Sequence, residues 1–473
     1  VSSKADLLVF GMGEQPIVEI AKRLDQESTA KDLRDVRGVC YLLGKKEALP
    51  ADALELPSFE EVKRDKRAFA RATRLHHHET NPLNARRLTQ RHGDRVLVHN
   101  APTLPSTQEE LDATFDLPYR RRPHPRYEEP IPAFTMIRDS VTIMRGCFGG
   151  CTFCSITMHE GRTIQSRSER SILKEVERIA SDEEFKGTIS DLGGPTANLY
   201  RMRCTKPEVE KICRRLSCIH PRICPLLGTS HQPTLDLLRK ARGIDGVKRV
   251  FVASGIRMDL ANLDEEYIEE VARWHTGGHL KIAPEHTSDR VLDLMKKPSK
   301  DACDTFARKF AKASAKAGKE QYLVPYFIAS HPGSTVDDMI DLAVFLKQRG
   351  YRPRQVQDFI PAPMDVATTM YYTGLDPMTM RPVDTARRLR DRKVQRALMQ
   401  FFLPENYFVV RKALLDRGRK DLIGDGPLAL IPAKPPQEAI EARRREATYV
   451  HAKEAGVRRT VGYRPGRRGR EKR

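Results

Sequence analysis

The chain has 473 residues, 39% hydrophobic and 31% charged, the make-up of a globular protein with room for two or three domains. No run approaches the roughly 20 apolar residues of a membrane span, and VSSKADLLVF carries no charged-then-apolar export signal, so a cytoplasmic protein with no membrane partner is expected. The formal charge of +20 would attract a polyanion such as RNA, but 434–473 alone holds 13 Lys and Arg against 5 Glu, so the basic character is concentrated in a tail.

Taken in chain order, Ala5–Phe10 reads as a strand, followed by a glycine turn and an amphipathic helix with Ile17, Ile20, Ala21 and Leu24 on one face. This predicts, over 1–45, the C-terminal part of a Rossmann-like, cobalamin-binding-like domain. With no initial Met, a further upstream segment is expected. The turn G-M-G-E is too short for a dinucleotide fingerprint. Residues 46–135 are rich in proline, arginine and histidine with little periodicity and read as a linker or wrapping region. His76, His77 and His78 point in different directions on a helix and read as a solvated patch rather than a metal site.

From residue 136 short apolar runs recur at Val141–Met144, Gly187–Asp191, Ile223–Gly228, Val250–Ser254, Leu280–Ala283, Leu323–Ala329 and Val356–Pro361. Most intervals carry helical patterns, such as SILKEVERIA. Alternating buried strands and amphipathic helices predict an α/β fold of parallel βα units, a complete or partial barrel, over 136–375. A helical C-terminal extension is expected over 376–432, then a basic, disordered tail over 433–473 that would contact RNA. Ligands of such a barrel collect at the carboxyl ends of the strands, where RGCFGGC, DLGGPTANLY, ASGIRMDL, APEHTSDR and ASHPGST fall.

Nine cysteines, unevenly spread and with no export signal, read as metal ligands or reduced thiols, with Cys40 and Cys303 as core filler. Cys147, Cys151 and Cys154 follow the first strand with CxxxCxxC spacing. Soft thiolates favour an iron–sulfur cluster or zinc. Glycines 149 and 150 remove side chains where the loop must bend around a bulky group. Three thiolates leave one iron of a 4Fe–4S cluster free for an outside ligand. Zinc on the same cysteines plus His159 is the alternative.

The CxxxCxxC loop, with Phe153 before the third cysteine, resembles the radical S-adenosylmethionine (SAM) enzymes. The stretches SVTIMRGCFGGCTFCSIT, HEGRTIQSRSE, ISDLGGPTANLY, CRRLSC, KIAPEHT, GKEQYLVPYFIASHPGST and MYYTG make the chain similar, over 5–432, to the YgiQ-type subfamily. The resemblance implies a 4Fe–4S cluster on Cys147, Cys151 and Cys154 whose open iron binds SAM. Electron transfer from a reductant such as flavodoxin or ferredoxin then splits the sulfonium bond, and a 5′-deoxyadenosyl radical takes hydrogen from a substrate that the subfamily does not identify. Phe153 would lie by the adenine, Gly193 and Gly194 by the methionine amine, and Ser254 and Arg257 by the ribose and the carboxylate. Glu285 and His286 would meet cofactor hydroxyls or substrate, and His331, Pro332 and Gly333 resemble a turn on the barrel rim. Pro195 stands where many relatives have Glu, so Asp191 is the substitute candidate, with a turn role as its alternative. For Arg257 the rival is a salt bridge to Asp259 or Glu285.

Cys204, Cys213, Cys218 and Cys224 form a second set, which zinc or an auxiliary iron–sulfur cluster could use, or which could be buried thiols. Two other functions fit the same residues. One is a methylthiotransferase or cobalamin-dependent methylase acting on RNA or protein, although no D-x-H-x-x-G ligand loop is present in the chain. The other is a non-catalytic iron–sulfur RNA-binding protein.

Overall fold

The computed structural model describes residues 3–454 and contains two units, one of residues up to Asp338 with Val356–Arg392, the other of Met339–Gln355 with the residues from Lys393 onward. In the first unit Leu8–Val9 (β1), Val39–Leu43 (β2), Leu54–Glu55 (β3), Leu88–His92 (β4) and Arg95–His99 (β5) form a sheet in the order β1-β2-β5-β4-β3. Period-two alternation in VCYLL turns Val39, Tyr41 and Leu43 inward, onto Leu33, Val36 and Val98. The β4–β5 hairpin turns on Gly93 and Asp94, with Gly93 at φ +60° supplying the left-handed first position of a two-residue turn.

This sheet corrects the Rossmann-like expectation for 1–45. The helix forms, as Glu14–Asp25, but β1 pairs antiparallel with β2, and β2–β5 and β4–β5 are antiparallel too. A parallel unit needs a helix whose apolar face covers the sheet; here Ile17 and Leu24 stay about half exposed, at 54% and 49%. The expected wrapping region at 46–135 is likewise corrected. It supplies β3–β5 and the helices Phe59–Arg64, Lys66–His78 and Gln108–Phe115, two of them opened by capping boxes at Ser58/Glu61 and Thr107/Glu110. The three histidines are not a solvated patch. The His77 ring bonds the Met364 carbonyl at 2.8 Å, and burial lowers it to about 4.

Beyond residue 139 the pairing turns parallel. Ser140–Thr142 (β6) is followed by Met144–Arg145 (β7), Gln165–Ser166 (β8), Thr188–Ile189 (β9), Asp191–Gly193 (β10), Arg249–Val250 (β11), His279–Glu285 (β12), Tyr322–Ala329 (β13) and Gln357–Asp358 (β14). The pairs β6–β10, β9–β11, β12–β13 and β13–β14 are all parallel. A parallel bridge between Ile256 and Ile282 joins the segment after β11 to β12. The chain crosses from β6 to β10 and from β9 to β11 through amphipathic helices, Glu169–Ala180 and Gln232–Arg242 respectively, as parallel pairing requires. One apolar core runs from Val141 to Ala313, and Ile172, Val176, Leu237 and Leu238 project into it from the helices. No strand forms at 223–228: Pro225 cannot donate to a ladder, and the chain turns on itself through Cys224 N–H to Cys218 O (2.7 Å) and Leu227 N–H to Cys224 O (3.0 Å).

In the second unit the helix Tyr407–Asp416 buries Val410 and Leu414. The helix Gln437–Glu454 sets Arg443 over the Phe408 ring at 4.6 Å and Glu446 on Lys393 at 2.7 Å. The tail expected to be disordered from 433 is thus helical over its first part, because these contacts hold it; 455–473 lie outside the described residues. Among the described residues no helix is long and apolar enough to cross a membrane.

Candidate functional site

The three cysteines lie on a loop clamped at its base. β7 and β8 pair antiparallel, Met144 with Ser166 and Arg145 with Gln165, and the Cys147 N–H reaches the Gly161 carbonyl at 3.1 Å. Farther along, Thr152 is held three times: its N–H by Met295 O (3.1 Å), its hydroxyl by Leu294 O (2.8 Å), and its carbonyl by the Ala367 N–H (2.8 Å). Gly150 sits at φ +67° with the Leu216 carbonyl so close that a Cβ would lie 2.2 Å from it, so only glycine fits.

Gly149 marks the inside of the loop. A Cβ there would stand 3.3 Å from Cys147 Sγ, 3.8 Å from Cys151 Sγ and 3.5 Å from Arg257 Nη1. The thiols and the guanidinium therefore surround a space that the missing side chain leaves open. Arg257 Nη1 also lies 3.7 Å from Cys151 Sγ, and the Thr196 hydroxyl is 3.9 Å from Cys147 Sγ. Burial pushes the Cys147 thiol up, with Cys151 adding to the effect, and pushes Cys154 up to about 12. Thiols this enclosed ionise when a metal cation replaces the proton. His159 instead lines a cavity with Phe10, Glu14 and Gln15, away from the thiols. Among the described residues no three His, Cys, Asp or Glu side chains converge on a single-ion position.

Arg257 is buried at 7% exposure, and its rival role is real but incomplete. Nε bonds Asp259 at 2.9 Å, whereas Nη2 is buried with no hydrogen-bond partner. A buried, unpaired guanidinium N–H costs about 1–3 kcal/mol unless an acceptor arrives. Asn198, fully buried, fixes the backbone of Arg257 by accepting its N–H (2.8 Å) and donating to its carbonyl (3.0 Å). Nothing in the spacing of DLGGPTANLY singles out Asn198 for this role.

Asp191 takes the turn role. Its carboxylate accepts the N–H groups of Ala253 (2.7 Å) and Ser254 (3.1 Å) and the Ser254 hydroxyl, so it fastens the ASGIR loop. The same contact occupies Ser254. Gly193 lets that loop approach, since a Cβ would lie 2.6 Å from Ser254 Oγ, and a Cβ on Gly194 would lie 3.0 Å from Met144. Glu285 is buried, its carboxyl raised by burial, with Lys297 at 3.5 Å as its cation. Phe153 meets His331 edge to face at 5.6 Å and His331 meets Phe359 at 5.5 Å, so the aromatic before the third cysteine is part of a packed stack.

Two further features gave no signal in the sequence. Glu285 and Ser330, at or just past the carboxyl ends of the paired strands β12 and β13, both hold positive φ, +67° and +64°. Such conformations cost roughly 1–2 kcal/mol per non-glycine residue and gather where a site constrains the backbone. Asp365 bonds Ser155 at 3.1 Å beside the third cysteine, and burial lifts its carboxyl to about 6.

Residues 1–140 match the family profile "Radical SAM N-terminal", 141–346 match "Radical SAM superfamily", and 354–467 match a domain of unknown function, DUF3362, so the likeness runs past residue 432, where it was expected to stop. A UPF0313 protein of Bradyrhizobium diazoefficiens is 50% identical over 461 residues, covering 92% of this chain and 68% of that protein. The UPF0313 protein YgiQ of Escherichia coli K12 is 45% identical over 507 residues, covering 94% and 68%. Among solved structures, the cobalamin-dependent SAM radical enzyme OxsB aligns with a TM-score of 0.44 at 12% identity, over 95% of this chain and 56% of that one. The radical SAM methyltransferase TsrM of Kitasatospora setae, solved with cobalamin and a 4Fe–4S cluster, aligns at 0.41 and 12%, over 76% and 55%. The chain spans just over half of each solved structure, and likenesses this shallow bear on neither substrate nor cofactor. The sequence relatives do decide the family: this chain belongs to the YgiQ-type UPF0313 proteins of the radical SAM superfamily.

Proposed function

We propose that this protein is a radical SAM enzyme in which Cys147, Cys151 and Cys154 hold a 4Fe–4S cluster with one iron open to SAM. The observation that carries the reading is the space at Gly149, bounded by Cys147, Cys151 and a buried Arg257 with one N–H unpaired. When bound, the cluster supplies the electron that splits the sulfonium bond of SAM, and the 5′-deoxyadenosyl radical takes a hydrogen atom from the substrate.

The chain's own residues bind and orient. Arg257 offers a free N–H to a carboxylate while Asp259 holds its other edge and Asn198 holds its backbone. Gly193 makes room for Ser254 and Gly194 for Met144, and Asp191 keeps the Ser254 loop in place from behind. The run of parallel neighbours from β6 to β14 supports a partial βα barrel with this site at its carboxyl end. The cobalamin-dependent alternative rests on a Rossmann-like unit at 5–24 and on the basic charge, and the antiparallel pairing of β1 with β2 takes away the first of these supports only.

The test is anaerobic. Reconstituted protein reduced with dithionite is expected to convert SAM to 5′-deoxyadenosine, and its electron paramagnetic spectrum is expected to change when SAM is added. Cys151→Ser should abolish both. A protein that takes up zinc but no iron, with no response to SAM, overturns the proposal.

A further inference from the structure

The second cysteine set was separate in the sequence, but the fold gathers it. Cys204, Cys213, Cys218 and Cys224 all line one cavity of about 190 Å³, along with Phe148, Arg162 and Arg215. Each is held by different backbone contacts. Cys204 bridges Leu227, and Cys213 ends the helix Pro207–Ile212, its carbonyl accepting from Asn81 (2.9 Å) and Asn84 (3.2 Å). The Cys218 N–H donates to the Phe148 carbonyl at 3.1 Å, and the Cys224 N–H closes on the Cys218 carbonyl at 2.7 Å. All four thiols are free.

A second observation points to an anionic occupant. Arg162 lines this cavity as well as the space beside Cys151 and Cys154, and its Nε is buried with no hydrogen-bond partner. Its charge acts on Cys213 and Cys218. An unpaired cation facing a set of thiols is costly with the thiols protonated and favourable with thiolates ligating a sulfide-bridged metal core. The spacing argues against a single ion. Zinc draws sulfurs to about 2.3 Å from one point, whereas no three such ligands among the described residues converge that way.

We propose that Cys204, Cys213, Cys218 and Cys224 hold an auxiliary iron–sulfur cluster, distinct from the one on Cys147, Cys151 and Cys154. It would lie directly behind the first loop, since Cys218 is bonded to the backbone of Phe148. The proposal does not depend on SAM chemistry.

The test uses the full chain with Cys147, Cys151 and Cys154 all changed to Ser, reconstituted anaerobically with iron and sulfide. Iron and sulfide per chain are measured, with circular dichroism as the check on folding. About four irons are expected to remain, and adding Cys213→Ser and Cys218→Ser should take the count to near zero. Wild type should carry about twice the triple variant's iron. A folded triple variant with no iron while wild type holds about four, or one zinc in place of iron, overturns the proposal. Should the triple variant not fold, the wild-type count decides alone: about eight irons support a second cluster and about four refute it. A folded triple variant holding as much iron as wild type, about four, would refute the radical SAM reading and leave this one standing.

Discussion

Gly149→Ala separates the cluster site from the stability of the loop. The backbone at Gly149 does not require the left-handed region, so alanine is compatible with the chain path, unlike at Gly150. The added methyl would sit 3.3 Å from Cys147 Sγ and 3.8 Å from Cys151 Sγ. Without metal, the flexible thiol of Cys147 can move aside by a few tenths of an ångström, and the stability cost should stay below about 1 kcal/mol. With iron bound the sulfur is pinned, and overpacking of a filled site costs about 1–3 kcal/mol. At about 1.4 kcal/mol per tenfold, that is roughly a 5- to 150-fold loss in cluster affinity. Chelator titration of the reconstituted protein, followed by its visible absorption, reads the affinity, and urea denaturation of the metal-free protein reads the stability. Normal cluster retention in a normally folded Gly149→Ala protein would refute the claim that Cys147 and Cys151 face a cluster across this glycine. Gly150→Ala is the contrast: at φ +67° and 2.2 Å from the Leu216 carbonyl it should destabilise the metal-free protein itself, by about 2 kcal/mol or more.

Arg257→Lys keeps the charge but loses the planar pair of donors, so SAM affinity should fall by about 10- to 100-fold; equilibrium dialysis measures it, and an unchanged affinity would place the carboxylate elsewhere. Glu175 lies 2.5 Å from Arg167, whose side chain is fully buried. Glu175→Gln leaves that cation without its carboxylate and should cost about 3 kcal/mol in urea denaturation; a loss under 1 kcal/mol would show the pair to be dispensable. His286 is buried, with Nδ1 accepting the N–H groups of Thr287 (2.9 Å) and Ser288 (3.1 Å), and burial depresses it to about 4. A depressed folded value means that stability is complete above about pH 6.5 and is lost as pH falls toward 4, by up to about 3 kcal/mol. His286→Gln should flatten that part of the stability profile of the metal-free protein, and an unchanged acid slope would count against the assignment.

The sequence by itself determined the three-cysteine loop, the run of parallel strands and helices after residue 139, and the family, because each rests on local spacing: CxxxCxxC, short apolar runs, helical periodicity. It misjudged what depends on pairing. A strand and helix at 5–24 look alike whether the next strand returns parallel or antiparallel, and the direction was set by how β2 meets β5. It could not assign Asp191, since one carboxylate near a glycine pair can face a cofactor or the neighbouring loop with the same spacing, and only the approach of Ser254 decides. Nor could it connect Asn198 to Arg257, fifty-nine residues away, or Arg162 to the cavity of the second cysteines. Those juxtapositions arise when distant segments pack into one core, where burial fixes which polar atoms find partners and which, like Arg257 Nη2 and Arg162 Nε, are left without one.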